Sequence, residues 1–279
     1  MEEWILNCFP NMTVTKSLKP GSQKKVFLVT HALYGECVMK LISITNYERV
    51  KREVMIVTDN KILHVPKIFE SGNIENDGKE LFYIFEEYID GSSLYDQLKK
   101  GKLTFEQSVN LLETLLEIAV KLEEIGVVHR DIKPDNILIN KSGDFFLTDF
   151  GIARVLEMTS LTYTMAPIGP HTPGYGAPEL FQYKKRDISI KADLFSIGVV
   201  VYEAAIGNHP FLDGSENSNE EIWYKTTTSI PIETVIQGDS QGAFLGLVTT
   251  LMKQQISKRP PSAKKAFAWL SSAKSSFLY

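Results

Sequence analysis

Cysteine and long apolar runs are scarce in this sequence. Among 279 residues only Cys8 and Cys37 are cysteines, too few for a disulfide framework and not spaced like metal ligands. No run of about 18 uncharged apolar residues occurs, as a membrane-spanning helix would need. The nearest, Leu194–Ile206, contains Glu203 and predicts a buried helix. We therefore expect no membrane partner and a reducing, cytoplasmic location.

An excess of charge of one sign is missing as well. The 34 acidic and 30 basic side chains give a formal net charge of −4, which argues against a binder of nucleic acid or anionic membranes. The first residues are acidic and interrupted by Asn7 and Pro10, so we expect no signal peptide. With 43% apolar residues, the chain can bury the cores of two small lobes or of one large domain.

The apolar pattern differs between the two parts of the chain. In the first part, Val26–Thr30, Glu36–Ile42 and Leu81–Phe85 are β-branched or apolar runs typical of strands. Tyr47–Thr58 carries valines at helical spacing, so one helix is predicted among them. Small polar residues within Ile89–Ser93 indicate a hinge after the last of these strands.

The second part has helical periodicity. Thr104 and Gln107 have the pattern of a capping box ahead of an apolar stripe. Further helices are predicted over Lys191–Ile206, Gly242–Gln254 and Pro261–Ala273, the last with prolines in its opening turn. A strand-rich segment therefore precedes a helical one.

Three separate blocks carry the chemistry. Residues His129–Asn136 read His-Arg-Asp-Ile-Lys-Pro-Asp-Asn, Asp149-Phe150-Gly151 follows 13 residues later, and Ala177-Pro178-Glu179 lies a further 26 residues on. Each block alone is a common turn or a surface charge cluster, but their order and spacing together are specific. In this arrangement they resemble the catalytic core of the eukaryotic-type (Hanks-type) serine/threonine protein kinases.

This resemblance covers nearly the whole chain and implies its fold. The expected fold class is α+β, a bilobal protein-kinase fold with a small β-rich N-lobe, one main helix in that lobe, and a larger, mainly α-helical C-lobe. A single kinase domain would span residues 1–279, with the N-lobe at about 1–88, the hinge at about 87–92 and the C-lobe at about 93–279. The implied activity is transfer of the ATP γ-phosphoryl group to Ser or Thr hydroxyls of protein substrates.

The same resemblance assigns catalytic roles. Phosphoryl transfer needs positioning and charge neutralisation more than covalent chemistry. Asp131 would orient the substrate hydroxyl and accept its proton, while Lys133, in the serine/threonine form of the loop, would neutralise charge on the γ-phosphate. Asn136 and Asp149 would hold Mg²⁺, with Mn²⁺ as a substitute, because hard cations take oxygen ligands.

The nucleotide-binding residues also follow by resemblance. Val26 and Val38 would form the roof of the adenine slot and Leu138 its floor. Backbone groups of Glu87 and Ile89 would meet the purine edge.

Lys40 matches the strand lysine of the family. Its expected partner is Glu53 on the following helix, although the spacing between them is shorter than is usual. Glu48 is the alternative partner, and a solvated helix face would explain either glutamate without a functional role.

The sequence departs from the family in the phosphate-covering loop. Lys19 and Lys24 replace the first and third glycines, and only Gly21 remains. Glycine permits close approach of the backbone to phosphate, so the substitutions either obstruct the loop or supply compensating charge.

Glu86 is a second departure, because the family has a bulky apolar residue at this place. A carboxylate that faces an apolar pocket costs several kcal/mol unless it is paired or protonated. We expect either that Lys40 pairs with Glu86 or that a shifted strand brings Phe85 to this position.

The segment 149–179 resembles an activation loop. Thr162 and Thr164 resemble the Thr-x-Thr segment that many bacterial kinases of this class autophosphorylate, and Arg130 would receive the loop phosphate. Thr172 matches the threonine that positions the substrate. A flexible polar loop is the competing interpretation for Thr162 and Thr164.

Supporting residues match too. Asp193 is a carboxylate in an otherwise apolar helix, and burial would demand hydrogen-bond partners; in the family this residue holds the backbone of the catalytic loop. Glu179 and Arg259 are expected to form a buried pair, with exposed surface charges as the alternative.

Two other functions stay open. A pseudokinase would explain the altered glycine loop and Glu86, but the retained Lys40, Asp131, Asn136 and Asp149 count against it. A small-molecule phosphotransferase of kinase-like fold generally lacks the Ala-Pro-Glu block. We favour an active kinase whose partners are protein substrates, including a second copy of the chain.

Overall fold

A computed structural model of the chain describes residues 3–18, 24–43, 54–55, 58–149, 174–181, 188–231 and 234–277. The described residues up to Asp90 form one compact unit, called unit 1, and those from Gly91 onwards form another, called unit 2. Unit 1 is rich in strands and unit 2 is mainly helical, so the predicted fold class is confirmed. The described residues contain no helix with the length and apolar character needed to traverse a lipid bilayer.

Unit 1 is built on a five-stranded antiparallel sheet with the strand order β1-β2-β3-β5-β4. Its elements are α1 (Glu3–Cys8), β1 (Met12–Ser17), β2 (Lys24–His31), β3 (Gly35–Ser43), β4 (Ile68–Asn76) and β5 (Lys79–Glu87). The strands predicted at residues 26–30, 36–42 and 81–85 all lie within these bounds.

One face of this sheet forms an apolar core. Ile5 of α1 is fully buried in a cluster with Met39 and Phe85. Because side chains alternate between the two faces along a strand, Val38 and Lys40 of β3 project to the opposite face. The sheet therefore separates the α1 side from the side that carries Lys40.

Unit 2 begins with a short strand and continues mainly as helices. Its elements are β6 (Gly91–Ser93), α2 (Leu94–Leu98), α3 (Phe105–Glu124), β7 (Ile137–Asn140), β8 (Phe145–Leu147), α4 (Pro178–Phe181), α5 (Ile190–Ile206), α6 (Asn219–Thr228), α7 (Ala243–Leu251) and α8 (Ala263–Ala273), with single 3-10 turns at Pro134–Asn136, Ile256–Lys258 and Lys274–Ser276.

The helix ends follow their capping residues. The predicted capping box is confirmed, because the Thr104 hydroxyl accepts from the Gln107 amide and the Gln107 side chain accepts from the Thr104 amide. Helix α7 ends at Leu251, earlier than predicted. The prediction of prolines in the first turn of α8 is wrong, because Ser262 is the N-cap, accepting from the Lys265 amide, and both prolines precede it.

Helix α5 forms the centre of unit 2. It is apolar around nearly its whole circumference and packs against α3 and α7. Gly198 permits the close approach to α7, since an added Cβ would lie 3.0 Å from the Val248 carbonyl oxygen and 3.0 Å from Leu251 Cβ. This helix carries Asp193 into the interior.

A small sheet of order β6-β7-β8 frames the functional segments. Gly91 lies so close to β7 that an added Cβ would be 1.8 Å from the Ile139 carbonyl oxygen, so only glycine fits. The segment 129–136 leads into β7, and Asp149 follows shortly after β8.

Candidate active site

The segment 129–136, here called the catalytic loop, is anchored to α5 through Asp193. The carboxylate is fully buried (0% exposed) and accepts the amides of His129 at 2.7 Å and Arg130 at 2.8 Å. Burial raises the pKa of Asp193, while the neighbouring His129 and the two amide hydrogen bonds oppose the rise. The hydrogen-bonded role predicted for Asp193 is confirmed.

The His129 ring joins the catalytic loop to the segment before Asp149. Its Nε2 lies 3.0 Å from the Thr148 carbonyl oxygen, and its Nδ1 lies 3.3 Å from the Asp131 amide nitrogen. A carbonyl only accepts and an amide only donates, so Nε2 carries the proton and Nδ1 accepts. This buried ring fixes the backbone of Asp131 relative to Thr148.

Two side chains converge on the Asp131 carboxylate. Lys133 Nζ lies 2.8 Å from Oδ2 and 3.0 Å from Oδ1. Asn136 Nδ2 donates to Oδ2 at 2.9 Å and to the Asp131 main-chain oxygen at 2.8 Å. The carboxylate is therefore held in one orientation beside a positive charge, and three residues of the motif are brought together.

Asn136 and Asp149 offer oxygen ligands. Because the Asn136 amide nitrogen is bound to Asp131, its Oδ1 is turned away from that carboxylate. The Asn136 main-chain oxygen accepts the Thr148 amide at 2.9 Å, and Thr148 directly precedes Asp149. An amide oxygen and a carboxylate suit Mg²⁺, which takes few protein ligands and completes its shell with phosphates and water. The donor set fits this ion.

Backbone strain accompanies both segments. Arg130 has φ 70° and Asp149 has φ 66°, a region that residues other than glycine seldom adopt. Such strain persists only where the surroundings over-determine it, and it concentrates at functional sites. At Arg130 the hydrogen bond from its amide to Asp193 helps to hold this conformation.

In unit 1, Lys40 and Glu86 form a buried ion pair. Lys40 Nζ and Glu86 Oε1 are 2.6 Å apart, and the side chains are 5% and 12% exposed. Lys40 is opposite Ile84 and Glu86 is opposite Val38 in the β3–β5 register, so the pair is diagonal on one face. Of the two predicted arrangements, pairing with Lys40 is correct; Phe85 instead lies in the core on the other face.

The predicted nucleotide contacts of unit 1 lie on β2, on β3, at the end of β5 and two residues beyond that end. Val26 and Val38 are buried, as is Ile89. The Glu87 amide donates to the Lys67 carbonyl oxygen at 2.8 Å. That N–H is thus engaged, and the prediction for Glu87 now concerns its carbonyl oxygen alone.

Several predicted residues lie outside the described ranges, namely Lys19, Gly21, Glu48, Glu53, Thr162, Thr164 and Thr172. Their roles stay predictions. Lys24 is described and begins β2. In unit 2, Leu138 is half-buried on β7.

Glu179 of the Ala-Pro-Glu block pairs with Arg259, as predicted. The guanidinium also donates to the main-chain oxygens of Lys191, Lys253 and Gln254. The arginine therefore ties α4 to the start of α5 and to the segment that follows α7.

A polar cluster beside the catalytic loop was not predicted. The Tyr175 hydroxyl donates to Glu203 at 2.7 Å. Burial raises the pKa of Tyr175 and of Glu203, and the charge of Asp135 in the catalytic loop adds to both shifts. The sequence contained a signal, because Glu203 is a carboxylate in the apolar helix α5 and requires a partner.

The His209 ring lies next to this polar cluster and contacts the residue before Tyr175. Its Nε2 lies 3.2 Å from the Gly174 carbonyl oxygen, and its Nδ1 accepts the amides of Phe211 and Leu212, each at 3.2 Å. Burial lowers the pKa of His209 to about 4. The neutral ring suits these contacts, because protonation of Nδ1 would break both amide hydrogen bonds.

Comparison with known proteins agrees with this geometry. The family described as "Protein kinase domain" matches residues 12–269. The chain is 31% identical to CBL-interacting serine/threonine-protein kinase 5 of Arabidopsis thaliana over 76% of this chain and 48% of that protein. It is 31% identical to serine/threonine-protein kinase pkn2 of Myxococcus xanthus over 91% of this chain and 30% of that protein.

The chain belongs to the protein kinase family, because the family match spans nearly its whole length. It is similar to both bacterial and eukaryotic serine/threonine kinases. It spans about half or less of the length of these curated relatives.

Proposed function

We propose that this chain is an ATP-dependent serine/threonine protein kinase. The observation that carries the proposal is the convergence of Lys133 and Asn136 on the carboxylate of Asp131, in a chain that matches the protein kinase family. The relatives named above, which are serine/threonine kinases, support the same activity.

Asp131 orients the acceptor hydroxyl and takes its proton as the hydroxyl oxygen bonds to the γ-phosphorus. The bond between the γ-phosphorus and the β,γ-bridging oxygen breaks, and ADP leaves with that electron pair. Lys133, 2.8 Å from Asp131, supplies positive charge beside the transferring group. Its place two residues after Asp131 is the basis for proposing Ser and Thr as acceptors.

Asn136 and Asp149 would hold Mg²⁺, with Mn²⁺ as a substitute. When bound, this ion neutralises phosphate charge during transfer. Within the described ranges no group of three or more His, Cys, Asp or Glu side chains is arranged to hold a metal. A site with few protein ligands suits an ion that arrives with nucleotide phosphates.

ATP binding is proposed to use residues that each unit positions by itself. In unit 1, Lys40 would contact the phosphates, and the buried Val26 and Val38 would contact adenine. The carbonyl oxygen of Glu87 would accept from the purine. In unit 2, Leu138 would also contact the base.

We also propose that the chain autophosphorylates in trans on Thr162 and Thr164 and becomes a phosphoprotein. The Thr-x-Thr sequence supports these sites. Arg130, adjacent to Asp131, would pair with the added phosphate, which carries close to two negative charges. Ordering of this loop would then favour binding of a protein substrate.

A cytoplasmic location is proposed from the thiols. Cys8 is exposed, Cys37 is buried, and both are free cysteines. Free thiols persist in reducing compartments. Because the net charge is acidic, we propose no nucleic-acid partner.

The direct test is incubation of the purified chain with labelled ATP, with and without Mg²⁺, followed by mass spectrometry. We expect Mg²⁺-dependent phosphate on Ser or Thr, including Thr162 or Thr164. Asp149→Ala should abolish the transfer, whereas the matched control Asp144→Ala, in the exposed β7–β8 turn, should keep it. Normal ATP binding without any transfer by the wild type would instead define a nucleotide-binding pseudokinase.

The double variant Thr162→Ala/Thr164→Ala tests the loop separately. It should phosphorylate an added peptide substrate more slowly while its ATP affinity changes little. Phosphate found only outside residues 149–179, with wild-type activity in the double variant, would exclude this loop as the switch.

A further inference from the structure

We infer that Glu86 is a positioning residue that holds the Lys40 ammonium where the ATP phosphates bind. The inference rests on the proposed function and deepens it. The helix glutamate that the family pattern predicts for this task is Glu53, which lies outside the described residues. Within the described residues, Glu86 lies 2.6 Å from Lys40 in a buried pair.

The sheet itself fixes this pair. Strands β3 and β5 are paired in unbroken register from Cys37 opposite Glu87 to Ser43 opposite Leu81. Lys40 and Glu86 are diagonal neighbours within that register, on the same face. A glutamate on a helix positions a lysine only when the helix is docked, whereas one on the neighbouring strand does so whenever the sheet is folded.

The ion pair is compatible with phosphate binding. An ammonium group has three N–H donors, so a contact with the Glu86 carboxylate and a contact with a phosphate oxygen can coexist. Fixed donors that need no reorganisation during the reaction are the arrangement that best stabilises developing charge. Glu86 thereby fixes the position of the Lys40 ammonium before nucleotide binds.

Burial favours an anion beside Lys40. Lys40 is 4% exposed, and a lysine in such a place favours its neutral form unless an anion accompanies it. Removal of Glu86 would take this anion away from the Lys40 ammonium, which would favour the charged form less and hold its position less firmly. Less positive charge would then face the phosphates. If Glu86 instead held Lys40 away from ATP, removal of Glu86 would strengthen ATP binding.

The first experiment measures nucleotide binding and turnover of Glu86→Gln and Glu86→Leu. The dissociation constants for Mg²⁺–ATP and for adenosine are compared, because adenosine has no phosphate for Lys40 to contact. We expect Glu86→Leu to reduce the preference for ATP over adenosine by about 10- to 100-fold, the range for one charged hydrogen bond, with adenosine affinity nearly unchanged. Glu86→Gln should have a smaller effect, since its amide oxygen can still accept from Lys40.

A matched control comes from the same strand. Glu80 is an exposed glutamate of β5, and Glu80→Gln should leave both nucleotide preference and kcat at the wild-type level. Glu86→Asp, which keeps the charge, should recover part of the preference lost in Glu86→Leu. An unchanged preference in Glu86→Leu, or a widened one, would overturn the inference.

A double-mutant cycle distinguishes an effect of Glu86 through Lys40 from a general folding defect. Replacing both charges, in Lys40→Met/Glu86→Leu, removes both members of the pair, and apolar replacement of buried ion pairs is often tolerated. If Glu86 acts through Lys40, Glu86→Leu has no further effect on ATP preference in the Lys40→Met background. An equal effect in both backgrounds would show that Glu86 does not act through Lys40.

The comparison with Glu53→Gln completes the test. A large loss of ATP preference in this variant, together with none in Glu86→Leu, would assign the positioning role to Glu53. Failure of the proposed function is distinguishable, because it appears as a wild type that transfers no phosphate. The binding experiments still decide the role of Glu86 in that case.

Discussion

Arg259 and Glu179, 80 residues apart in the sequence, form a two-pronged buried ion pair. Their Nη1–Oε1 and Nη2–Oε2 distances are 2.5 and 3.0 Å, and the side chains are 0% and 3% exposed. The ring of Phe195 lies 4.9 Å from the guanidinium carbon, which adds a cation–π contact. The guanidinium thus makes five hydrogen bonds and also contacts one aromatic ring.

Arg259→Met should destabilise the protein by about 3–5 kcal/mol, because it leaves the Glu179 carboxylate buried without its cation. Arg259→Lys should fall between this variant and the wild type, since a lysine cannot reproduce the two-pronged geometry. Urea unfolding measures both. The control Lys121→Met removes the exposed pair with Glu124 and should cost less than about 1 kcal/mol; equal losses in Arg259→Met and Lys121→Met would contradict the account.

Two helical glycines should respond in opposite directions to alanine. Gly198→Ala should lower the free energy of unfolding by about 1–3 kcal/mol, because the added methyl group meets α7 and overpacks the helix contact. Gly246→Ala, on α7, meets nothing within 4 Å and should raise it by up to about 1 kcal/mol through helix propensity. Thermal and urea unfolding test the pair, and the same sign for both substitutions would refute the packing argument.

His209 should make stability sensitive to mild acid. Its pKa is lowered from 6.5 to about 4 in the folded protein, so between these values the unfolded chain binds a proton that the folded chain does not. The contribution of the neutral His209 ring to the free energy of unfolding is therefore complete above pH 6.5. It is lost as the pH falls towards 4, which lowers the free energy of unfolding by about 3 kcal/mol in all. Urea unfolding of the wild type and His209→Gln at pH 7 and pH 4.5 should show their difference shrinking at the lower pH. A constant difference would count against the lowered pKa.

Asp131→Asn should reduce kcat by about 10²–10⁴-fold, the range for a positioned base. An asparagine oxygen can still accept from Asn136, so the loop geometry and the ATP dissociation constant should change little. Steady-state kinetics and nucleotide titration separate the two quantities. Asp77→Asn, in the β4–β5 turn, is the matched control and should behave as wild type. Near-normal turnover in Asp131→Asn would remove this residue from its role.

The sequence was most informative where a short motif has a fixed geometry. The family resemblance that the three blocks carry predicted the buried partner of Arg259 and the attachment of Asp193 to the catalytic loop, whereas the contacts of Lys133 and Asn136 with Asp131 were not predicted. Sequence patterns were equally reliable where the interacting residues are close in the chain, as in the capping box at Thr104.

Contacts between distant segments were harder to predict. The sequence allowed two positions for Glu86, because only the β3–β5 register decides whether Lys40 comes within reach. The Tyr175–Glu203 hydrogen bond joins residues 28 apart, and nothing in the spacing indicates which polar group meets that carboxylate. The end of α7 and the Ser262 cap of α8 likewise depend on which of several competing hydrogen bonds is made at a helix boundary.

The attachment of the catalytic loop to Asp193 has a consequence for exchange with solvent. This loop has almost no regular secondary structure, and irregular segments commonly exchange their amide hydrogens quickly. The amides of His129 and Arg130, however, are bonded to a carboxylate inside helix α5. They can exchange only when that helix separates from the loop, so in heavy water they should retain their protons about as long as the amides of the interior.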